Sequence, residues 1–154
     1  MKISRQVLRF GAVSGLIWSI FPAALRQVRS LNEAATYVLA GVLVGILTSL
    51  ILASALKRRG RAAAIFLGAL SLPLAAFMFG VLVSVIQWLV REATGTAVGF
   101  AAYGRNPVFV GAEFSVYASI SIFAPVLFLL AVGTTLLLRR FVGQGLDSEL
   151  MDHF

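Results

Sequence analysis

The sequence predicts an all-α integral membrane protein with four transmembrane helices and both termini in the cytoplasm. Residues 34–56 form a run of 23 residues without a charged side chain, and 60% of the chain is hydrophobic while only 12% is charged. A helix of that length extends about 34 Å, enough to cross a hydrocarbon core of about 30 Å. The distribution of basic residues predicts the orientation. We interpret residues 1–154 as a single polytopic membrane domain.

Four apolar segments are the predicted spans, at residues 10–25, 34–56, 62–90 and 115–138. The third is longer than a bilayer requires, so we expect it to tilt, kink or extend beyond the membrane. The first is the shortest and contains Pro22. It is either a short span or an amphipathic helix in the membrane interface, and we favour the span because apolar residues occupy most of its circumference. A cleaved signal peptide is a third interpretation, disfavoured by the basic Arg26 that follows at once.

Basic residues divide unequally between the two sides of such a four-span protein. One side carries nine of them: Lys2, Arg5, Arg9, Lys57, Arg58, Arg59, Arg61, Arg139 and Arg140. The other side carries four: Arg26, Arg29, Arg91 and Arg105. The richer side is expected to face the cytoplasm, which indicates a multi-pass protein of a bacterial-type inner membrane. The net charge of +7 does not indicate nucleic-acid binding, because the basic residues form short clusters beside apolar runs.

The connections between spans have local signals. Ser30 and Glu33 fit a capping box, so we expect the second helix to begin there. Gly60 is suited to its C-cap, and the basic loop Lys57, Arg58, Arg59 and Arg61 is then a cytoplasmic anchor or a docking element. The connection 91–114 is predicted to be external. Its length and its aromatic residues indicate either a functional loop or an aromatic anchor at the membrane surface.

Small residues recur at helical spacing in three of the spans. They are Gly11 and Gly15 in the first, Gly41, Gly45 and Ser49 in the second, and Gly68 and Gly80 in the third. Such stripes let helix backbones approach closely in lipid, where no hydrophobic force drives helices together. They serve either packing within the chain or a seam with a partner subunit or second copy. Leu50 lies off the stripe, and we expect it to face lipid.

Pro73 and Pro125 lie near the middles of the last two predicted spans. Each removes a backbone donor and frees a carbonyl four residues earlier, at Ala69 and Ser121. We expect kinks at these positions. Kinks serve packing in many membrane proteins, and in transporters interrupted helices also build substrate sites.

Ionisable side chains are missing from the last three predicted spans, and the chain has no cysteine and a single histidine, His153. Proton relays, cofactor or metal sites and acid–base catalysis therefore have no visible residues, and we expect no enzyme. The leading hypothesis is a non-catalytic subunit or accessory of a larger membrane assembly. The alternative is a small oligomeric transporter, flippase or channel for an uncharged or lipid-like substrate. A holin-like pore is disfavoured because no span has a wide polar face.

Overall fold

The structure, a computed structural model, describes residues 5–25, 30–57, 59–95 and 106–151, with side chains as far as Val142 except at positions 24 and 25. This part of the chain contains helices and no strand. The helices are α1 (Arg5–Leu25), α2 (Leu31–Leu56), α3 (Arg61–Ala93), α4 (Pro107–Ile120) and α5 (Ala124–Met151). Three stretches are long and apolar enough to cross a membrane: α2, α3 and residues Ala124–Val142 of α5.

Side-chain caps fix two of the helix starts. Ser30 caps α2, because its hydroxyl oxygen accepts from the Glu33 backbone N–H at 3.2 Å. Asn106 caps α4 in the same way, accepting from the Val108 N–H at 2.9 Å, and Pro107 occupies the first turn. The prediction for Gly60 is wrong: Lys57 is the C-cap of α2, and Gly60 is the extended residue that precedes α3.

Helix α1 runs antiparallel to α2 along most of its length. Val7, near the start of α1, packs with Leu52 and Leu56 at the end of α2. Ala23, near the end of α1, packs against the cluster that contains Tyr37. The two helices therefore occupy the same depth in the bundle. The Leu50 prediction is corrected here, because Leu50 is half-buried against the cluster of Val7.

Helices α4 and α5 run one after the other along α3, in the opposite direction. Gly111 of α4 is in contact with Gly80 of α3. Farther along, Leu127 of α5 packs with Leu72 of α3, and Leu138 of α5 packs with Ala64 of α3. The sequence predicted one continuous span at 115–138, whereas the structure divides it at residues 121–123. The predicted 91–114 connection is also shorter, because α3 continues to Ala93 and α4 begins at Pro107. Residues 96–105 lie outside the described part.

The glycines of the predicted stripes face other helices of the same chain. A Cβ placed on Gly11 would lie 2.7 Å from Ile46 Cα, and one on Gly41 would lie 2.5 Å from Ser19 Cβ. A Cβ placed on Gly15 would clash with the Gly41 carbonyl oxygen, and one placed on Gly45 would clash with the Gly11 carbonyl oxygen. Antiparallel α1 and α2 thus pair their two GxxxG segments at backbone contact.

The second seam joins α3 to the α4–α5 pair. A Cβ on Gly80 would lie 2.8 Å from Gly111 Cα, and one on Gly68 would lie 2.8 Å from Val132 Cα. Gly111 completes this contact, because a Cβ placed on it would lie 2.8 Å from the Phe77 carbonyl oxygen. The sequence analysis did not single out Gly111. The bundle is held by two close seams, α1 with α2 and α3 with α4–α5, joined mainly through α2 and α3.

Charged side chains distinguish the two ends of the bundle. One end, here called the basic end, carries seven described basic residues: Arg5, Arg9, Lys57, Arg59, Arg61, Arg139 and Arg140. Arg58 of the predicted loop lies outside the described part. The described carboxyl side chains, on Glu33, Glu92 and Glu113, lie toward the opposite end, where α2 begins and α3 finishes.

Candidate functional site: a groove between α1 and α4–α5

Helix α1 meets α5 and the turn that precedes α5 through large aromatic side chains instead of glycines. Phe10 packs on Phe141 near the basic end, with ring centroids 5.6 Å apart. Phe21 packs edge-on against Phe123, with centroids 5.7 Å apart. Bulky rings hold the helix axes apart, and a cavity of about 590 Å³ opens in the bundle beside them.

All five helices contribute to the wall of this cavity. From α1 it takes Phe10, Ser14, Trp18 and Phe21, which lie on one face because their spacings are four, four and three residues. The lining residues of α1 extend from Phe10 to Pro22, a rise of about 18 Å. We therefore call the cavity the groove. Its other lining residues include Gly41, Gly45, Thr48 and Ser49 of α2, Ser71, Leu72 and Ala75 of α3, Glu113, Tyr117 and Ala118 of α4, Ser121, Ile122 and Phe123, and Ala131, Thr134 and Thr135 of α5.

The groove opens sideways at the interruption between α4 and α5. Tyr117, Ile122 and Phe123 line it, yet 61%, 88% and 45% of their surfaces are exposed. Residues that both line a cavity and reach the protein surface mark its mouth. The mouth lies where α4 ends and α1 and α4 do not pack closely. The groove therefore reaches the outer surface of the bundle at this turn.

The interruption is a tight turn with its own hydrogen bonds. The Ser121 N–H donates to the Tyr117 carbonyl oxygen at 3.1 Å, and the Ala124 N–H donates to the Ser121 carbonyl oxygen at 2.9 Å. Pro125 is the second residue of α5 and lacks only an N–H that the first helical turn leaves without an intrahelical acceptor. The predicted kink residue Pro125 therefore lies beside a complete break, and Pro73 lies inside the continuous α3.

Hydroxyl groups supply most of the polarity of the groove. Ser14 donates to the Gly11 carbonyl oxygen at 3.1 Å, Ser71 to that of Gly68 at 2.8 Å, and Thr135 to that of Ala131 at 2.9 Å. Each of these bonds stays within its own helix. A hydroxyl that donates in this way keeps its oxygen lone pairs as acceptors. The groove wall is thus apolar with scattered hydrogen-bond acceptors.

Glu113 is the single carboxylic acid side chain among the described residues that line the groove. It is half-buried on the second turn of α4. The sequence analysis assigned it to the external connection and missed it as a candidate. The signal that could have found it is Asn106-Pro107, a helix-capping pair followed at once by an apolar stretch.

The predicted site residues lie in three different places. Ser49 is 4% exposed and lines the groove together with Gly15, Gly41 and Gly45, whereas Gly68 and Gly80 lie in the second seam. The basic loop lies at the basic end, where its Arg59 carbonyl oxygen accepts a hydrogen bond from Arg139 of α5. No group of three or more His, Asp or Glu residues that could hold a metal ion occurs within the described part of the chain.

Comparison of this chain with family models, curated proteins and solved structures finds no match. The groove and the charges around it therefore carry the functional argument.

Proposed function

We propose that this protein binds a lipid-like, amphipathic molecule in the groove and moves it between the two faces of the membrane. The observation that carries the proposal is the lateral mouth formed by Tyr117, Ile122 and Phe123. A channel for ions or water needs an aqueous opening at each end, whereas this mouth faces the surface that lipid covers. Apolar walls with hydroxyl acceptors suit an acyl chain together with a small polar group.

The groove has the dimensions that this role requires. Its extent of about 18 Å along α1 is more than half of a hydrocarbon core of about 30 Å. The interruption at Ser121 gives the wall a point at which α5 can tilt relative to α4, as interrupted helices do in transporters.

The proposed topology has four crossings with both termini in the cytoplasm of a bacterial-type inner membrane. Packing supports the first crossing, since α1 accompanies α2 from Val7 at one end to Ala23 at the other. Helices α4 and α5 together form the fourth crossing. The basic end then faces the cytoplasm. Topology reporters inserted after Arg61 and at Asn106 should report opposite sides, with the first cytoplasmic; two reporters on the same side would exclude α3 as a crossing.

Lipid movement in proteoliposomes tests the proposed activity. Wild-type protein should accelerate the exchange of fluorescent phospholipids between leaflets. Ala118→Phe places a ring in the groove and should reduce the exchange to the rate of protein-free liposomes. The matched control is Ala112→Phe, on the exposed face of the same helix, which should keep the wild-type rate. Equal rates for all three proteins and for empty liposomes would exclude lipid movement.

A non-catalytic subunit of a larger membrane assembly is the competing proposal, with the bilayer and a partner subunit or a homo-oligomer as its contacts. Its original motivation was the set of small-residue stripes. The described stripe glycines at 11, 15, 41, 45, 68 and 80 now each face another helix of this chain. Purification from native membranes in mild detergent separates the two proposals. A stoichiometric partner, together with inactive proteoliposomes, would favour the subunit role.

A further inference from the structure

The basic end is assembled from three separate parts of the chain. The start of α1 supplies Arg5 and Arg9, the α2–α3 connection supplies Lys57, Arg59 and Arg61, and α5 supplies Arg139 and Arg140. One hydrogen bond ties two of these parts together. The Arg139 Nε–H donates to the Arg59 carbonyl oxygen at 3.2 Å, across 80 residues of sequence. The ring contact of Phe10 with Phe141 ties the third part, α1, to α5.

These positive charges have no described carboxylate beside them. Arg139 is half-buried, and the bond that holds it goes to a neutral carbonyl oxygen, so its charge is not neutralised there. A guanidinium group carries five N–H donors, and this bond uses one of them. Among the side chains that the structure describes, positive charge is therefore concentrated at this end of the bundle, and the bond to Arg59 occupies only one of the Arg139 donors.

Exposed apolar side chains lie directly beside these charges. Ile65, four residues after Arg61 in α3, is 49% exposed, and Leu137, three residues before Arg140 in α5, is 53% exposed, so each shares a helix face with a basic residue. A surface with cations at the edge of an apolar region fits a molecule that has an anionic headgroup and hydrocarbon chains. A soluble phosphate would use the cations but not the apolar surface.

We infer that the basic end is a binding site for the headgroup of an anionic phospholipid, with the acyl chains on the exposed apolar surface of α3 and α5. This site is distinct from the groove, and it does not depend on the proposed lipid movement. Basic clusters next to membrane helices attract anionic lipids with about 1 kcal/mol per basic residue, equivalent to about fivefold in affinity. The ligand class follows from the charge and from the apolar border, and free inorganic phosphate is the competing ligand.

Native mass spectrometry of the purified full chain tests the site. The protein is equilibrated in detergent with equal amounts of phosphatidylglycerol and phosphatidylcholine, which differ in net charge. Wild-type protein should retain phosphatidylglycerol preferentially, and Arg139→Gln should lower that preference about fivefold. Arg139→Lys keeps the charge and should keep most of the preference. Arg91→Gln, a charge-matched control at the opposite end, should behave as wild type.

A second variant covers the case in which Arg139→Gln does not fold. Arg61→Gln with Arg140→Gln removes two exposed charges for which the structure shows no hydrogen bond among described residues, and the preference should fall by more than in the single variant. High salt should weaken the retention of phosphatidylglycerol by wild-type protein, because dissolved ions screen the attraction between exposed charges. Equal retention of the two lipids by wild type, an unchanged preference in both variants, or displacement by millimolar inorganic phosphate would each overturn the site. Loss of preference in a variant that still moves zwitterionic lipid would separate this site from the groove.

Discussion

Helix α1 makes two different kinds of contact, and the difference explains the groove. Toward α2 it presents Gly11 and Gly15, and the two backbones touch. Toward α5 and the turn before it, α1 presents Phe10 and Phe21, whose rings pack on Phe141 and Phe123 with centroids 5.6 and 5.7 Å apart. Glycines remove the side chains that separate helices, so the seam leaves no room for an added Cβ at these positions. Aromatic residues separate the helices at two points and leave volume between those points.

The seam and the groove should therefore respond in opposite ways to added volume. In a seam, a new side chain must displace backbone, and overpacking is costly. In the groove, a new side chain enters space that is already present. The four substitutions below test this contrast, in order from the largest expected effect on the free energy of unfolding to the smallest.

Gly45→Leu should have the largest effect. A Cβ on Gly45 would lie 2.6 Å from Gly15 Cα, so a leucine forces α1 away from α2. We expect a loss of stability at or above the upper limit of the about 1–3 kcal/mol usual for overpacking. Denaturant unfolding in detergent measures it. Gly133→Leu is the matched control, because a Cβ there meets nothing within 4 Å. Similar losses in the two variants would mean that the seam is not closely packed.

Phe123→Leu should have an intermediate effect. It removes the edge-to-face contact with Phe21, and such pairs contribute about 0.5–1.5 kcal/mol beyond their buried area. Because the same ring borders the mouth, we also expect faster lipid exchange in proteoliposomes. Phe109→Leu, at a 78% exposed ring of α4, is the control for both measurements. A slower exchange in Phe123→Leu would show that the ring holds the lipid instead of restricting its entry.

Pro125→Ala should have a small effect. Pro125 is in the first turn of α5, and the hydrogen bonds of the break at Ser121 do not involve it. We expect a loss of about 0.4–1 kcal/mol, which arises from the greater freedom of the unfolded chain. Hydrogen exchange of the Ser121 and Ala124 amides should remain as in wild type. Strong new protection across residues 121–125 would mean that the proline alone prevents a continuous helix.

Ala118→Phe should have the smallest effect on stability, although it is expected to stop lipid exchange. Its ring enters the groove, so we expect the free energy of unfolding to change by less than about 1 kcal/mol. The same unfolding assay that detects Gly45→Leu measures this change. A loss as large as that of Gly45→Leu would indicate that the groove is closed by packing around Ala118.

Several features of the fold could be read from local sequence. The start of α2 at Ser30 follows from one capping residue, and the charge-free runs gave three helices of sufficient length and apolarity to cross a membrane. The break at residues 121–123 could not be predicted in the same way, because an apolar stretch with Pro125 is equally compatible with a kinked helix. Glu113 was missed because its helix is short and begins at a cap inside an apparent loop.

The sequence by itself determined that the chain is helical, that its helices are apolar enough for a membrane and that its basic residues cluster in three places. These properties depend on residues close together along the chain, through hydrophobic run length, capping and charge. Only the tertiary structure decided that the glycines of α1 face those of α2, that Glu113 lines a cavity, and that Arg139 bonds to the Arg59 carbonyl oxygen. A stripe of small residues shows which face of a helix can be approached closely, but it does not show which helix approaches it. A groove arises where several helices fail to fill the space between them, and no single segment contains that information.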